Sequence, residues 1–270
     1  MDPQPTAVAA PIRLQIADDI RIQIERGDLA PGDPLPTLQE LAKRWNCSIS
    51  VARDAINLLK QQGLITGGRG KAPVVRTPVR RIVRSSDRHQ EEKDLVRAPE
   101  RERRDQGAAE TDLGVPLEQL SFSARYDVID ANADLAETFG VATGTRLLRR
   151  VYEMTDPGTR HRQAWSVSYL PHELVSGNPD LLNSDLEPWP GGTQHQLYTV
   201  GVEIVRMVDE VSAEMPSTVD MQLWGMDTGV PMLRVRRISI DTNDRVVEVS
   251  DAEYPADRTE LRFTTPLAKW

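Results

Sequence analysis

Residues 11–75 contain three helix patterns and then a glycine-rich basic hairpin, and this order constrains the fold more than any other feature of the chain. The first pattern has an apolar residue at every fourth position: Ile12, Ile16, Ile20 and Ile24. This spacing predicts a helix with one apolar stripe, and Gly27 predicts its C-terminal end. Thr37 and Glu40 predict a capping box that starts a second helix over residues 37–45.

The third helix is predicted to begin after Ser48, its N-cap, and to end near residue 62. Its buried side is predicted to be apolar: Val51, Ala55, Leu58 and Leu59. Its free face is predicted to be polar: Ser50, Arg53, Asp54 and Asn57. A recognition helix reads base edges in the major groove with hydroxyl, amide and guanidinium groups of its N-terminal half. The third helix is therefore the candidate for that role.

The hairpin that follows carries its charge at the tip, because residues 67–71 hold three glycines and two cations. Such a tip can lie against phosphates or enter the minor groove. A helix-turn-helix followed by a basic hairpin is the layout of a winged helix that binds duplex DNA. The same elements can also form a protein-docking module, which is the alternative interpretation.

These residues resemble the DNA-binding domain of the GntR family of bacterial transcription regulators. The resemblance depends on three motifs at the family's spacing: PGDPLPTLQELA at 31–42, SISVARDAI at 48–56 and GLITGGRGK at 63–71. It implies a set of DNA contacts: Thr37, Gln39, Ser48, Ser50, Arg53, Asn57, Arg69, Gly70 and Lys71. Arg53 ranks first among them and Lys71 second. Gln39 and Ile49 stand where the family commonly has arginine, which predicts fewer phosphate contacts than usual.

Length and charge suggest a second domain of a different character. A chain of 270 residues can form two domains with cores of their own, and its formal net charge of −8 is concentrated after residue 112. The chain has a single cysteine, Cys47, which excludes an intrachain disulfide. We interpret Cys47 as a small apolar side chain that packs beside the helix-turn-helix. The four histidines show no spacing typical of a zinc site, and no cofactor is expected. Without a signal-peptide pattern or a long apolar run, a cytoplasmic protein with no membrane contact is expected.

The chain is predicted to divide into four parts. Residues 1–10 are expected to be a disordered tail, and residues 11–76 the winged helix. Residues 77–112 are predicted to be a charged linker that is partly helical, with a helix over 88–98 or else disorder. Residues 113–270 are predicted to be the second domain.

The second domain alternates apolar with polar residues in seven segments, which predicts an antiparallel sheet with one packed face. The predicted strands are 122–129, 146–155, 163–170, 203–213, 232–240, 246–254 and 261–264. Short helices are predicted between them over 133–139, 194–199 and 217–224, and a hairpin turn over 241–244. The fold class is therefore α+β.

This half resembles the UTRA effector-binding domain of the HutC subfamily of GntR regulators, a fold similar to chorismate lyase. The carrying motifs are LAETFGVATGT at 135–145, SVSYLP at 166–171, LYTVGVEIVR at 197–206 and VVEVSDAEYPADRTELRF at 246–263. The resemblance implies effector-binding and dimerisation roles for residues 113–270. It also implies an effector site on these residues: Arg150, Tyr152, Met154, Ser168, Tyr169, Glu248 and Tyr254. Tyr152 and Met154 replace arginines of the phosphosugar-binding members, which favours a more apolar or aromatic ligand. Alternatively, Tyr152, Met154 and Glu248 are only residues of a sheet face.

Together these features predict a homodimeric regulator, most simply a repressor, that binds a palindromic DNA operator and responds to a small-molecule effector. A constitutive regulator without ligand is one alternative. A chorismate-lyase-like enzyme is the other, although the chain has no Walker loop or GxSxG elbow, and fold does not imply chemistry.

Overall fold

The computed structural model describes residues 10–67, 72–77, 81–105 and 121–267. They divide into two compact units, an N-terminal unit up to Val79 and a C-terminal unit that comprises most of the chain from Arg80 on. The predicted tail lies almost entirely outside the described residues. Each unit combines helices with β-strands, and the predicted α+β class is confirmed.

The N-terminal unit contains three helices and a two-stranded hairpin in the predicted order. The elements are α1 Ile12–Arg26, α2 Leu38–Arg44, α3 Ile49–Gln61, β1 Ile65–Thr66 and β2 Val74–Val75. β1 and β2 pair in antiparallel fashion. One core joins all of them: Ile16, Ala17, Ile20, Leu35, Leu41, Ala52, Ala55, Ile56, Leu59, Ile65 and Val75. The unit is a winged helix-turn-helix.

The buried face of α3 is rotated by about one residue from the predicted one. Ala52 and Ile56 are buried, whereas Val51 and Leu58 are half-buried. α1 packs against α3, and Ala52 belongs to the core that the two helices share. The apolar stripe of α1 is also shorter than predicted, because Ile12 is 42% exposed.

The hairpin of the wing turns at Gly67, whose backbone has a φ of +113°. A Cβ at this position would lie 2.9 Å from the carbonyl oxygen of Ala72, so only glycine fits the turn without a shift of the backbone. Arg69, Gly70 and Lys71, three of the predicted DNA contacts, lie outside the described residues.

The C-terminal unit is built on a six-stranded antiparallel sheet. Its strands are β4 Ser121–Asp130, β5 Arg146–Thr155, β6 Arg162–Pro171, β7 Ile204–Glu214, β8 Met232–Asp241 and β9 Val246–Pro255. Their spatial order is β4-β5-β6-β9-β8-β7. The alternation of apolar and polar residues in the sequence predicted each of these strands to within one residue at either end. The predicted hairpin turn joins β8 to β9, with Asp244 in the left-handed conformation at a φ of +56°.

A second, two-stranded sheet was not predicted from the sequence. β3, Ile82–Ser85, pairs in parallel with β10, Thr259–Arg262, and β10 begins earlier than the predicted strand over 261–264. α4 Arg88–Asp94 and α5 Glu100–Asp105 follow β3. The segment predicted as a linker thus holds a strand and two helices, and the helix predicted over 88–98 ends at Asp94. A four-residue strand paired at long range has no local pattern that reveals it.

Helices cover both faces of the large sheet, and the prediction of one packed face is wrong. The covering helices are α6 Ala133–Phe139, α7 His172–Val175, α8 Gly192–Tyr198 and α9 Thr218–Trp224, with 3₁₀ turns at Pro179–Leu182 and Ser184–Leu186. Adjacent residues of β5 point to opposite faces. Leu147 therefore packs in one core cluster with Phe139 of α6, and Leu148 packs in another with Leu197 of α8. α6 has the predicted bounds, whereas α7 and the 3₁₀ turns were not predicted.

Candidate DNA-binding surface and effector cavity

The polar face of α3 is the candidate DNA-binding surface. Its side chains are exposed as predicted: Ser50, Arg53, Asp54 and Asn57. Ile49 at the first turn is 45% exposed, so an apolar side chain also lies at the N-terminal end of this face. Apolar groups in such a position contact the methyl group of thymine in the major groove.

Thr37 and Ser48, two other predicted DNA contacts, are exposed residues that also cap helices. The hydroxyl of Thr37 accepts a hydrogen bond from the backbone N–H of Glu40 at 3.2 Å, and the Glu40 carboxylate accepts one from the N–H of Thr37 at 2.7 Å. The Glu40 carboxylate also accepts a hydrogen bond from the Thr37 hydroxyl at 2.9 Å, and the bonds that it accepts, from the backbone N–H first and from the hydroxyl next, lower the pKa of Glu40. The hydroxyl of Ser48 accepts from the N–H of Val51 at 3.3 Å. The two hydroxyls thus stabilise the N-terminal ends of α2 and α3. Gln39 is exposed on α2 and has no capping role.

A buried polar cluster lies on one face of the large sheet in the C-terminal unit. The cluster consists of Arg150, Ser168, Thr193, Gln196 and Glu248. An Arg150 guanidinium nitrogen donates to the hydroxyls of Ser168 and Thr193 at 2.9 and 3.0 Å and to Glu248 Oε1 at 2.8 Å. A second nitrogen donates to Gln196 Oε1. The Arg150 residue is 1% exposed and Glu248 is 5% exposed, so this ion pair is withdrawn from water.

The register of the strands brings this cluster together. Arg150 of β5 lies directly opposite Ser168 of β6, and Ser168 lies opposite Ser250 of β9. Glu248 is two residues from Ser250 along β9, and it lies opposite Ser239 of β8. Residues two apart on a strand share a face, so the carboxylate reaches the guanidinium across three strands.

Glu248 has its acceptor sites occupied by the cluster. Its Oε1 atom accepts from Arg150 and also from the hydroxyls of Ser168 at 2.6 Å and Thr193 at 3.1 Å. Its Oε2 atom accepts from Ser239 at 3.4 Å. A carboxylate held in this way has little capacity left for a ligand.

A cavity of about 350 Å³ opens next to this cluster, entirely within the C-terminal unit. Three of the predicted effector residues line it: Tyr152, Met154 and Tyr254. Thr193 and Gln196 separate it from Arg150, Ser168 and Glu248, which were predicted to touch the effector but do not line the cavity. Tyr169 points to the opposite face of the sheet, where it packs against the cluster of α6, because it is the neighbour of Ser168 along β6.

An aromatic wall, formed by Phe122, Tyr152 and Trp165, lines one part of the cavity. The rings of Phe122 and Tyr152 stack with 6.4 Å between their centroids and 26° between their planes. The hydroxyl of Tyr152 donates to Glu187 Oε1 at 3.0 Å and lies 3.0 Å from the hydroxyl of Tyr126. Burial raises the pKa of Tyr126 to about 12 and that of Tyr152 well above its usual value, so both phenols are neutral donors.

An arginine end, formed by Arg84, Arg88 and Arg237, lines another part of the cavity. The guanidinium carbon of Arg84 lies 4.2 Å from the centroid of the Tyr254 ring. Arg237 forms two hydrogen bonds of 2.7 Å with the carboxylate of Asp209, directly opposite it on β7. Burial lowers the pKa of Arg88, and the neighbouring cations Arg237 and Arg84 lower it further.

His89 and Glu92 of α4 complete this part of the cavity. Burial, and next the charges of Arg237 and Arg88, lower the pKa of His89 to about 3, so its ring is neutral near neutral pH. Burial, and next the charge of Glu248, raise the pKa of Glu92 to about 7 against the opposing effect of Arg88 and Arg237. The Glu92 carboxylate lies over the backbone of Gly192, where a Cβ would be 2.5 Å from its Oε1 atom.

The arginine end and Glu187 were missed by sequence reasoning. The helix that carries Arg88 and Glu92 was predicted. Its residues are polar on all sides, so the sequence did not indicate which face of the helix is buried. Glu187 lies in an irregular segment before α8, and no periodic pattern in the sequence predicts where this segment lies. Among the residues that the structure describes, no group of three or more His, Cys, Asp or Glu side chains could hold a metal ion. No helix in those same ranges is long and apolar enough to cross a membrane.

Two family descriptions match the two units. Residues 12–75 match the bacterial regulatory proteins of the gntR family, and residues 123–260 match the UTRA domain. The chain belongs to the GntR family of regulators that carry a UTRA domain. This UTRA regulator is thus a DNA-binding transcription regulator with an effector domain, as the motifs predicted.

Relatives of this UTRA regulator match it along most of its length. An uncharacterized HTH-type transcriptional regulator of Streptomyces coelicolor is 27% identical over 262 residues, 93% of this chain and 91% of the relative. The HTH-type transcriptional repressor PhnF of Mycolicibacterium smegmatis is 24% identical over 97% of this chain and 96% of its own. The repressor NagR of Bacillus subtilis is 23% identical over 92% of each chain.

A solved structure of a GntR-family transcriptional regulator has the same fold, with a TM-score of 0.69 and 23% identity over 96% of this chain and 99% of that one. Every relative named here is a transcriptional regulator. The prediction that the chain is not an enzyme is therefore confirmed.

Proposed function

We propose that this UTRA regulator is a repressor that binds a palindromic operator as a homodimer in the cytoplasm, and that a small molecule in the cavity of the C-terminal unit lowers its operator affinity. The observation that carries the proposal is the cavity, whose mixed aromatic and charged lining suits a metabolite. NagR and PhnF, which match along nearly the whole chain, are both repressors, and this supports the sign of regulation.

The DNA-binding part of the proposal depends on the polar face of α3. Arg53 is exposed there between Ser50 and Asn57, one helical turn from each. A single winged helix covers one half-site, so two copies related by a two-fold axis would read a palindrome. A surplus of acidic residues in the C-terminal unit weakens the attraction of one copy to DNA, and two copies double the number of phosphate contacts.

Footprinting on the DNA upstream of the chain's own gene tests the proposal. We expect protection of two half-sites related by two-fold symmetry, and light scattering is expected to give the mass of a dimer. Arg53→Ala is expected to weaken operator binding about 10-fold or more, as the loss of one base contact does. Arg206→Ala removes the same charge from an exposed site on β7 and is the matched control. A monomer that shows no salt-sensitive binding to this DNA would contradict the proposal.

A further inference from the structure

The N-terminal end of α3 exposes an apolar side chain to solvent. Ile49 is the first residue of the helix, directly after the N-cap Ser48, and it is 45% exposed. The core of the N-terminal unit takes its residues from the other side of α3, where Ala52, Ala55 and Ile56 are buried. Ile49 is not among the described residues that form this core or pack against it. Its apolar surface is therefore available to a partner.

Ile49 belongs to the same row of side chains as two of the predicted DNA contacts. Residues four apart lie on one side of a helix, so Ile49, Arg53 and Asn57 follow one another along the exposed side of α3. Ile49 is the N-terminal member of this row. The N-terminal residues of a recognition helix are the ones that contact base edges. In the proposed complex with DNA, Ile49 therefore meets a base edge.

The isoleucine side chain offers a base edge only apolar contact, because it has neither a donor nor an acceptor. The edges of the bases in the major groove carry hydrogen-bonding groups, and thymine adds an apolar group, its C5-methyl. Against a purely polar edge, Ile49 would remove a donor or an acceptor from water without replacing its partner, which costs free energy. Against thymine, the methyl group and the exposed part of Ile49 would both leave water, which is favourable. Ile49 thus favours thymine over the other bases.

The first turn of α3 holds Ile49 in place before DNA binds. The hydroxyl of Ser48 accepts a hydrogen bond from the backbone N–H of Val51 at 3.3 Å, which fixes the start of the helix. A β-branched side chain in a helix strongly prefers one χ1 rotamer. Ile49 would therefore lose little conformational freedom in the complex, and little of the gain from the apolar contact would be offset by ordering.

We propose that Ile49 is a specificity-determining residue, whose side chain contacts the C5-methyl group of one thymine in each half-site of the operator. This inference rests on the proposed function, since it names a base that the operator contains. The contact involves no charge. Its contribution is independent of the salt concentration, whereas contacts to phosphates weaken as the salt concentration rises.

Operator duplexes in which deoxyuridine replaces thymidine test the inference. Deoxyuridine retains every hydrogen-bonding group of thymidine and lacks only the C5-methyl. Each thymine of the footprinted half-sites is replaced in turn, at symmetric positions of both half-sites, and fluorescence anisotropy measures the binding of the full chain. At one position per half-site we expect binding to weaken by a factor of about 15, which is the square of the factor of about 4 for one buried methyl group. We expect the same factor at about 50 and about 200 mM salt.

Variants of the chain assign this methyl effect to Ile49. The side chain of Ile49→Ala is too short to reach the methyl group, so this variant is expected to bind the deoxyuridine and thymidine duplexes equally. Val219→Ala is the matched control, because it shortens another exposed β-branched residue in the first turn of a helix, α9 of the C-terminal unit. It is expected to retain the full factor. Thermal melting shows that each variant is folded.

Three results would overturn the inference: a methyl effect that survives in folded Ile49→Ala, the absence of a methyl effect at every thymine, or half-sites that contain no thymine. Binding of the unmodified operator separates the two proposals. If the parent chain binds the operator without a methyl effect, only the role of Ile49 is wrong. A chain that binds no operator contradicts the proposed function, and the inference fails with it.

Discussion

At the scale of single residues, the ion pair of Arg150 and Glu248 lies at the centre of the buried polar cluster in the C-terminal unit. Both side chains are withdrawn from water, and each has further hydrogen bonds to neighbouring hydroxyl or amide groups. Removal of one partner would leave the other charge buried without a counter-charge, in a place where water cannot solvate it. This loss of stability is larger than the stability that the intact pair adds in comparison with two apolar side chains. The pair also holds Thr193 and Gln196, which line the cavity.

We expect Arg150→Gln to lower the free energy of unfolding of the C-terminal unit by about 3–5 kcal/mol, because Glu248 loses its counter-charge. Arg149→Gln is the matched control on the same strand, since Arg149 pairs with Asp127 at 2.7 Å on the surface, with side chains 41% and 45% exposed. Its cost is expected to be about 0.2–1 kcal/mol. Calorimetry of the two variants measures both values, and equal losses would show that the buried pair has no special role.

Glu92 gives a prediction about pH. Its pKa of about 7 lies above the ordinary 4.5, so the folded chain retains a proton that the unfolded chain releases. Stability from this group is present below 4.5 and is lost as the pH rises to about 7. The lowered pKa of His89 acts in the opposite sense, since its stabilising effect is lost as the pH falls from 6.5 towards 3. The groups that face Glu92 are Arg88 on its own helix, Arg237 on β8, Glu248 on β9 and Gln194 on α8.

Glu92→Gln removes this titration and leaves that of His89 in place. We expect the variant to be more stable than the parent chain by about 1–3 kcal/mol at a pH above 7, where Glu92 is charged. Below pH 4.5 the difference is expected to vanish, because both side chains are then neutral. Thermal unfolding of the two proteins across this range measures the difference, and a constant difference would contradict the prediction.

At the scale of elements, the helix-turn-helix depends on side chains that cap its helices. Thr37 and Glu40 form the capping box of α2, and Ser48 caps α3. The predictions of helix starts at these positions are confirmed by the structure, because a capping box has a fixed spacing in the sequence. The DNA contacts of Thr37 and Ser48 stay predictions, and a variant of either residue changes the helix end as well as the DNA surface.

Thr37→Ala is therefore expected to lower the free energy of unfolding of the N-terminal unit by about 1 kcal/mol, through loss of the cap alone. Thr37→Asn retains a capping side chain and is expected to restore most of that stability. Ser50→Ala, at an exposed position of α3 without a capping role, is the control and is expected to unfold as the parent chain does. If Thr37→Ala also unfolds like the parent chain, the side chain has no capping function and its role is confined to DNA.

At the scale of the whole molecule, the chain combines a winged helix with an acidic effector unit, and its formal net charge is −8. In the proposed dimer, regulation requires that the effector and the operator prefer different conformational states. The coupling between two such sites is reciprocal, and factors of about 5–150 are typical. A ligand with equal affinity for both states would leave operator binding unchanged.

We expect a small-molecule probe that binds in the cavity of the C-terminal unit to weaken operator binding by a factor of about 5–150. Saturation with the operator duplex is expected to weaken the binding of that probe by the same factor. Fluorescence anisotropy of the labelled duplex and calorimetric titration of the complex measure the two factors. The Arg53→Ala protein, without duplex bound, is the control and is expected to bind the probe as the parent chain does. Unequal factors, or a probe that binds without an effect on the operator, would contradict a gating role.

The sequence by itself determined the helices of the winged helix, the six long strands and the polar face of α3. These features depend on residues two to four positions apart, which side-chain periodicity records. It also placed Tyr152, Met154 and Tyr254 on strands that line the cavity. Only the tertiary structure decided that Glu248 is occupied by Arg150, and that Arg84 and Arg88 meet Arg237. These contacts join residues about a hundred or more positions apart through strand register and the β3–β10 pairing, and no local pattern encodes them.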